Sequence, residues 1–254
     1  MFKRFLLAAV AVILATPAVA APQGFRDGFN NLPASHWMSG RDFLEIPYPA
    51  RWETYFEDFG VYRSGDFSVT ETGSGTRVMA DANPSSLLIT NAAADNDVNT
   101  FQVDGNGSTG EVWTVPVGKK FYFEIKFKTS DATQSDLFLG LAVEDGTLVA
   151  SAPANYLAFT KDDGDALIDF HSVSSSTDTA STGVATLVAD TYTTLAFYWN
   201  GVSTIQIAVD NVLVATASNV TPPTTEMKVS FAVQNGEAVA KTMNVDYIFV
   251  ARER

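Results

Sequence analysis

The sequence contains no cysteine among its 254 residues. This absence excludes disulfides, thiolate metal sites and cysteine nucleophiles. A chain of this length can still bury a core large enough to fold without covalent cross-links. Because 46% of the residues are hydrophobic and only 18% are charged, the composition is that of a globular chain.

Positive charge is also scarce. Together, 16 Lys and Arg residues stand against 29 Asp and Glu residues, which gives a formal net charge of -13. The sequence has no run of basic residues, so it would repel a phosphate backbone. Direct binding of nucleic acid is therefore not expected.

The chain has only two histidines, His36 and His171. A zinc site needs three or four His, Cys or carboxylate ligands, and the supply of such ligands is poor here. The sequence also lacks the nucleophile-elbow pattern of serine hydrolases. We therefore predict a non-enzymatic protein with no catalytic residues and no required cofactor.

A glycoside hydrolase is the enzymatic alternative, because such enzymes carry two carboxyls about 5–9.5 Å apart. The comparable strand here continues from Glu124 to Lys126 and Lys128, so lysines stand where partner acids would be needed. Glu144 and Asp145 are the other candidate acids. The pattern disfavours hydrolysis, and loss of glycan cleavage on replacing Glu144 or Asp145 would be needed to support it.

No stable membrane span is predicted, because the apolar run at the N-terminus is shorter than the roughly 20 residues that a span needs. Lys3 and Arg4 precede this run, Phe5–Leu14, and the small triplet 18–20 follows it. The order matches a secretory signal peptide cleaved after Ala20. An uncleaved anchor helix and a buried N-terminal arm are the alternatives for residues 1–20.

Residues 21–52 have a different composition, rich in proline and aromatic residues. The prolines exclude a long helix and favour an extended arm. Burying each ring would stabilise the protein by roughly 1.5–3 kcal/mol, so the arm should pack on something. It either wraps its own domain or docks on another chain, and we predict that it is a protein-contact segment. The predicted contact residues are Phe25, Phe29, Trp37, Phe43 and Trp52.

Residues 53–254 show the alternation typical of β-strands. In the clearest strand, Lys119–Thr129, apolar residues alternate with polar ones, as expected for an antiparallel sheet with one face on a core. Shorter candidate strands include Val112–Val115. Asp210-Asn211 fits a two-residue hairpin, and Ser172–Thr182 is interpreted as an exposed loop or wide hairpin tip. The fold class predicted is an all-β antiparallel sandwich.

Two resemblances refine this fold prediction. Tyr192–Gly201 followed by Thr204–Ala215 resembles the back of a concanavalin-like (laminin-G-like) jelly-roll sandwich. Other segments resemble structural proteins that decorate or cement the capsids of tailed bacteriophages; these are Phe123–Ala142, Lys161–Ala166, Gln234–Ala238 and Val245–Arg254. This second, diffuse resemblance spans roughly residues 50–254. It implies a homo-oligomeric virion surface protein attached to the major capsid protein, with the arm and outer sheet making the contacts.

Calcium is a candidate ligand of an acidic turn. Asp162, Asp163 and Asp165 surround Gly164, and calcium is bound by carboxylate oxygens in such loops. If a metal binds, we predict these three aspartates as ligands. Solvated acidic turns are the alternative.

Glycan binding is the main rival function, either on a virion or in a secreted bacterial lectin-like protein that uses the leader. Sugar sites combine an exposed aromatic platform with nearby amide or carboxylate groups. The candidate platform residues are Trp113, Tyr156, Tyr198 and Trp199.

Overall fold

A computed structural model describes residues 51–80, 85–104 and 112–254. The predicted leader and arm therefore lie outside the described residues, except for Arg51 and for Trp52, which begins the first strand. No helix in the described ranges is long and apolar enough to cross a membrane. The strands are β1 Trp52–Glu57, β2 Phe67–Glu71, β3 Thr76–Ala80, β4 Ser86–Thr90, β5 Val98–Val103, β6 Phe121–Thr129, β7 Ser135–Ala142, β8 Tyr156–Lys161, β9 Leu167–Ser174, β10 Thr177–Thr186, β11 Thr193–Trp199, β12 Thr204–Val209, β13 Val212–Ser218, β14 Lys228–Asn235 and β15 Thr242–Glu253.

These strands form two antiparallel sheets. The eight-stranded sheet has the order β13-β12-β11-β6-β15-β4-β3, and β1 pairs with the second half of β15. The seven-stranded sheet has the order β10-β9-β8-β7-β14-β5-β2. The predicted all-β antiparallel sandwich is therefore confirmed.

The core lies between the sheets and is built by the predicted alternation. In β6, Phe121, Phe123, Ile125 and Phe127 are completely buried in the main apolar cluster. Aromatic rings from neighbouring strands stack within this cluster, as in the Phe123–Phe197 pair, whose centroids are 5.3 Å apart. Each inward ring leaves the residues on either side of it in the strand facing outwards.

The predicted hairpin at Asp210-Asn211 is confirmed. It joins β12 to β13, and the two residues have φ angles of 48° and 66°. Two consecutive positive φ values are the geometry that suits the twist of a two-residue hairpin. Asp and Asn tolerate this backbone region better than most residues.

Two strand predictions were wrong. Val112–Val115 forms no strand, only an isolated bridge between Trp113 and Met227. The Ser172–Thr182 segment is not a loop or a wide tip, since β9 and β10 pair closely and turn at Ser175-Ser176. Its polar composition fits an exposed edge strand, where β-branched threonines are favourable without burying apolar surface.

Candidate functional site

The candidate site lies on the outer face of the seven-stranded sheet, which carries an apolar cluster and a cleft. In β7, Leu137, Leu139 and Leu141 point into the sandwich core. Phe138 alternates with them and therefore faces outwards, level with Ala232 of β14 and Thr160 of β8. We call this surface the polar face, because hydroxyl, amide and carboxylate groups surround its apolar centre.

The loop of residues 143–155 folds over the centre of the polar face. Its Leu148 is only 1% exposed and belongs to an apolar cluster separate from the main core. The cluster residues on the sheet are Phe138, Ala142, Tyr156, Ala158, Val173 and Ala232. The loop thus divides the polar face into two parts.

Gln102 of β5 fixes the start of this loop. Its Nε2 donates hydrogen bonds to the Val143 carbonyl (3.1 Å) and to Ser230 Oγ (2.9 Å), and its Oε1 accepts one from the Asp145 backbone N–H (2.8 Å). The buried ammonium of Lys228 adds an ion pair with Glu144 at 3.3 Å. The loop position is therefore specified by side chains of the sheet.

A cleft of about 300 Å³ lies between the loop and strands β2, β5 and β14. This volume is at the small end of the range for ligand sites. Its walls combine hydroxyl, amide and small apolar groups, and no charged side chain lines it within the described residues. The lining residues are Thr70, Thr72, Asn96, Val98, Thr100, Gly146, Thr147, Val149, Ala150 and Gln234.

Two amides in the cleft are oriented by one hydrogen bond. Gln234 Nε2 donates to Asn96 Oδ1 at 2.8 Å. This bond leaves Gln234 Oε1 as an acceptor and Asn96 Nδ2 as a donor, and neither group has a partner within the described residues. Thr72 holds the adjacent backbone, since its Oγ1 accepts from the Val98 N–H at 3.0 Å and donates to the Asn96 carbonyl at 3.3 Å.

Thr100 supplies a further unused polar group. It is 2% exposed, and its Oγ1 has no hydrogen-bond partner within the described residues. A buried hydroxyl without a partner costs free energy, so such groups are rare unless something else satisfies them. The cleft therefore contains three polar groups that could bond a neutral polar ligand.

On the far side of Leu148, the polar face is acidic. Burial raises the pKa of Asp136 to about 6, with a further contribution from the nearby Asp163 carboxylate. His171 Nδ1 lies 2.7 Å from Asp178 Oδ2 at the exposed edge. Burial also raises the pKa of Tyr156 to about 12, so its hydroxyl stays protonated at neutral pH.

The predicted aromatic platform is not formed. Trp113 and Trp199 belong to the main core, with exposures of 4% and 0%. Tyr156 is covered by Leu148 on the polar face, and Tyr198 is 2% exposed on the opposite sheet. Alternation correctly placed Tyr156, Tyr198 and Trp199 on strands, but it did not predict that the outward-facing Tyr156 and Tyr198 would be covered.

The predicted calcium ligands do not converge. Asp165 Oδ1 accepts a hydrogen bond from the Leu167 N–H at 2.7 Å and so shapes the turn between β8 and β9. The Asp163 side chain packs against Gly236, where an added Cβ would lie 2.4 Å from the Asp163 Cβ. Asp162 belongs to the same turn. No three His, Cys, Asp or Glu side chains of the described residues are placed to hold a metal.

The acids considered for glycoside hydrolysis are also apart. Glu124 lies on the eight-stranded sheet, where Tyr122 and Tyr247 donate hydrogen bonds to its carboxylate. Glu144 pairs with Lys228, and Asp145 Oδ1 accepts from the Thr147 N–H at 2.7 Å. These acids therefore hold the fold together and do not face one another across a groove.

Sequence reasoning did not find the cleft residues. Thr100 and Gln102 alternate with buried Phe101, which is a signal for outward-facing polar groups but not for a cleft. The cleft depends on a loop that follows much later in the chain, and its position could not be read from either segment alone.

Comparisons with known proteins agree with this architecture. No protein-family model and no curated protein matches the sequence. Among solved structures, a protein of unknown function from Shewanella oneidensis MR-1 has a TM-score of 0.55 and 13% identity, covering 87% of this chain and 94% of that chain. The peanut lectin has a TM-score of 0.56 and 12% identity, covering 79% and 97% respectively.

A β-glucanase from Bacillus licheniformis is also similar, with a TM-score of 0.53, 14% identity and coverages of 78% and 97%. At these identities the similarity shows the fold alone, and that fold carries both a lectin and a glucanase. The concanavalin-like, lectin-like jelly-roll sandwich expected from the sequence is thereby confirmed. Neither the peanut lectin nor the β-glucanase is a capsid protein.

Proposed function

We propose that this protein binds a neutral glycan in the cleft of the polar face, without cleaving it. The observation that carries the proposal is the set of three unused polar groups, on Thr100, Asn96 and Gln234, in a cleft without charged lining. Sugar hydroxyls both donate and accept hydrogen bonds, so they match a hydroxyl, an amide donor and an amide acceptor. The lectin-like fold supports this assignment by analogy.

The charge distribution favours a neutral glycan over an acidic one. The chain carries a formal net charge of -13, and Asp136, Asp169 and Asp178 lie on the same sheet face as the cleft. A carboxylated or sulfated sugar would be repelled by this field. Neutral hexoses and their oligomers are therefore the class of ligand that the site fits.

The test is a titration of the full chain with neutral and acidic oligosaccharides, followed by NMR or calorimetry. We expect binding of a neutral sugar, with spectral changes confined to β2, β5, β14 and the loop. Thr100→Val keeps the side-chain shape but removes the hydroxyl. It should weaken affinity by about threefold to tenfold while raising the free energy of unfolding by about 1 kcal/mol, because an unsatisfied buried group is lost.

The two effects of Thr100→Val have opposite signs, so a general loss of folding cannot mimic them. Unchanged affinity in a more stable variant would remove Thr100 from the site. Absence of binding to every neutral sugar tested would contradict the proposed function itself.

A narrower proposal concerns where this binding takes place. The sequence resemblance to capsid decoration proteins supports a homo-oligomer attached to a virion surface, whereas the leader supports a secreted lectin-like protein. Intact mass separates the two proposals. A chain that begins at Met1 or Phe2 within purified particles supports the virion location, and a chain that begins at Ala21 in culture medium supports secretion.

A further inference from the structure

Strand β13, Val212–Ser218, lies at one edge of the eight-stranded sheet. Among the described residues it pairs only with β12, so one side of its backbone has no ladder partner there. Strand β10 of the other sheet comes close to β13 but forms no ladder with it. An edge strand with unpaired N–H and C=O groups is a surface on which a further strand can pair.

Strand β13 lacks the charged side chains by which edge strands usually prevent such pairing. Residues 191–225 contain a single charged side chain, Asp210, and β13 itself contains none. Every other described strand that pairs on one side only carries at least one charge. These charged residues are Glu53 and Glu57 of β1, Glu71 of β2, Arg77 of β3 and Asp178 of β10.

The outward-facing side chains of β13 are uncharged and exposed. Val212 is 63% exposed and Val214 is 45% exposed, whereas Ala217 is buried in the main core. Thr216 and Ser218 are exposed as well. A strand that paired with this edge would supply backbone hydrogen bonds and remove part of the valine surface from water.

We propose that two copies of this chain pair through β13, antiparallel to each other, about a two-fold axis at its middle residue, Ala215. A two-fold dimer uses the same surface on both copies, and an antiparallel strand can pair with its own copy in this way. The axis places Val214 of one copy opposite Thr216 of the other. The two eight-stranded sheets then join into one continuous sheet.

The charge of the chain favours this arrangement over the alternatives. At a formal net charge of -13, two copies repel each other wherever acidic surfaces meet. The antiparallel pair keeps the two Asp210 side chains roughly 34 Å apart along the strands, which is well beyond the screening length of about 8 Å. A parallel pair would place them side by side, and a pair of β10 strands would bring two Asp178 carboxylates to the same edge. The cleft lies beside β2 on the other sheet, so it stays open in the dimer.

The mass of the full chain in solution tests the proposal. In sedimentation equilibrium, the mass should rise with protein concentration from 27.3 kDa towards twice that value. Thr216→Asp places two carboxylates at diagonal positions across the axis, about 7–8 Å apart, and should weaken the dimer by at least about tenfold. Thr182→Asp is the matched control, because Thr182 is an exposed threonine of the edge strand β10. It should change the dimer Kd by less than about twofold.

A mass of one chain at every concentration would overturn the proposal. A dimer that Thr216→Asp leaves intact would overturn it too, because the contact would then lie elsewhere. Equal weakening by Thr182→Asp would also contradict it, since the loss would reflect added charge and not the strand that carries it.

A disulfide test reports the register and does not depend on the aspartate variants. The chain has no cysteine, so Ala215→Cys supplies one thiol per copy. The axis places this thiol opposite the same thiol of the second copy, within the range of a disulfide. In the presence of oxygen, most of this variant should become a disulfide-linked dimer. Ala180→Cys, at an exposed alanine of β10, should remain unlinked, and the absence of a linked dimer from Ala215→Cys would overturn the proposal.

Discussion

The two outer faces of this sandwich differ in the side chains that they carry. The polar face is covered by the loop of residues 143–155, which is held by Gln102 and Lys228 and leaves a cleft beside β2, β5 and β14. The outer face of the eight-stranded sheet carries a second apolar cluster, in which Tyr122, Tyr198 and Phe249 are buried. One face is thus built to leave polar groups available, and the other to remove apolar rings from water.

This difference shows that a side chain which points away from the core of a sandwich is not necessarily exposed to solvent. Phe138 and Tyr122 both point away from the core, and both are buried. Phe138 is covered by Leu148 from a neighbouring loop, and Tyr122 packs against Phe249 of the adjacent strand. A function should therefore be assigned from the polar groups that remain unsatisfied, and not from outward-facing aromatic residues.

The largest expected effect comes from detaching the loop of the polar face. Gln102→Ala removes three hydrogen bonds and leaves the Asp145 N–H and the Val143 carbonyl without their partner. We expect a loss of about 2–3 kcal/mol in the free energy of unfolding, measured by urea denaturation. Sugar affinity should fall as well, because the loop forms one wall of the cleft.

Gln134→Ala is the matched control, because the Gln134 side chain makes no hydrogen bond within the described residues. It should change stability by less than about 0.5 kcal/mol. Equal losses in the two variants would show that Gln102 does not position the loop.

A smaller effect is expected from the acidic half of the polar face. The pKa of Asp136 is raised from 3.8 to about 6, so ionising this carboxyl costs the folded state free energy. The cost is absent below about pH 4 and complete above about pH 6. The full shift corresponds to about 3 kcal/mol, and solvent screening reduces this for a partly solvated carboxyl. Asp136→Asn should therefore gain about 1–2 kcal/mol of stability relative to the natural protein across this window.

Thermal unfolding at several pH values measures this difference. A stability difference that stays constant from pH 4 to pH 7 would mean that Asp136 does not titrate in this window. Sugar affinity should change little, since Asp136 does not line the cleft.

Much of the fold could be predicted from the sequence because its strands alternate clearly. The apolar series in β6 and the Asp210-Asn211 turn are local patterns, and both predictions are confirmed. The edge strand β10 was missed because Thr177–Thr186 buries little apolar surface and leaves no hydrophobic period. Val112–Val115 was overpredicted because an apolar run can enter a core without pairing as a strand.

The candidate site could not be predicted, because it depends on contacts between distant segments. Thr100 and Gln234 are brought together by the pairing of β5 with β14, and Val149 reaches them from a loop. The acidic turn at Asp162–Asp165 was a local pattern of ligand-like residues. In the folded chain its side chains serve the turn itself, as the Asp165–Leu167 hydrogen bond shows.

The central claim is that the cleft beside the loop binds a neutral glycan, and blocking the cleft tests it most directly. Ala150→Trp places a large ring at the cleft wall, whereas Ala152→Trp adds the same ring to an exposed position of the same loop that does not line the cleft. Calorimetric titration with the bound sugar should show at least about a tenfold loss of affinity for Ala150→Trp and less than about a twofold change for Ala152→Trp. Equal affinity of both variants and the natural protein would contradict the account.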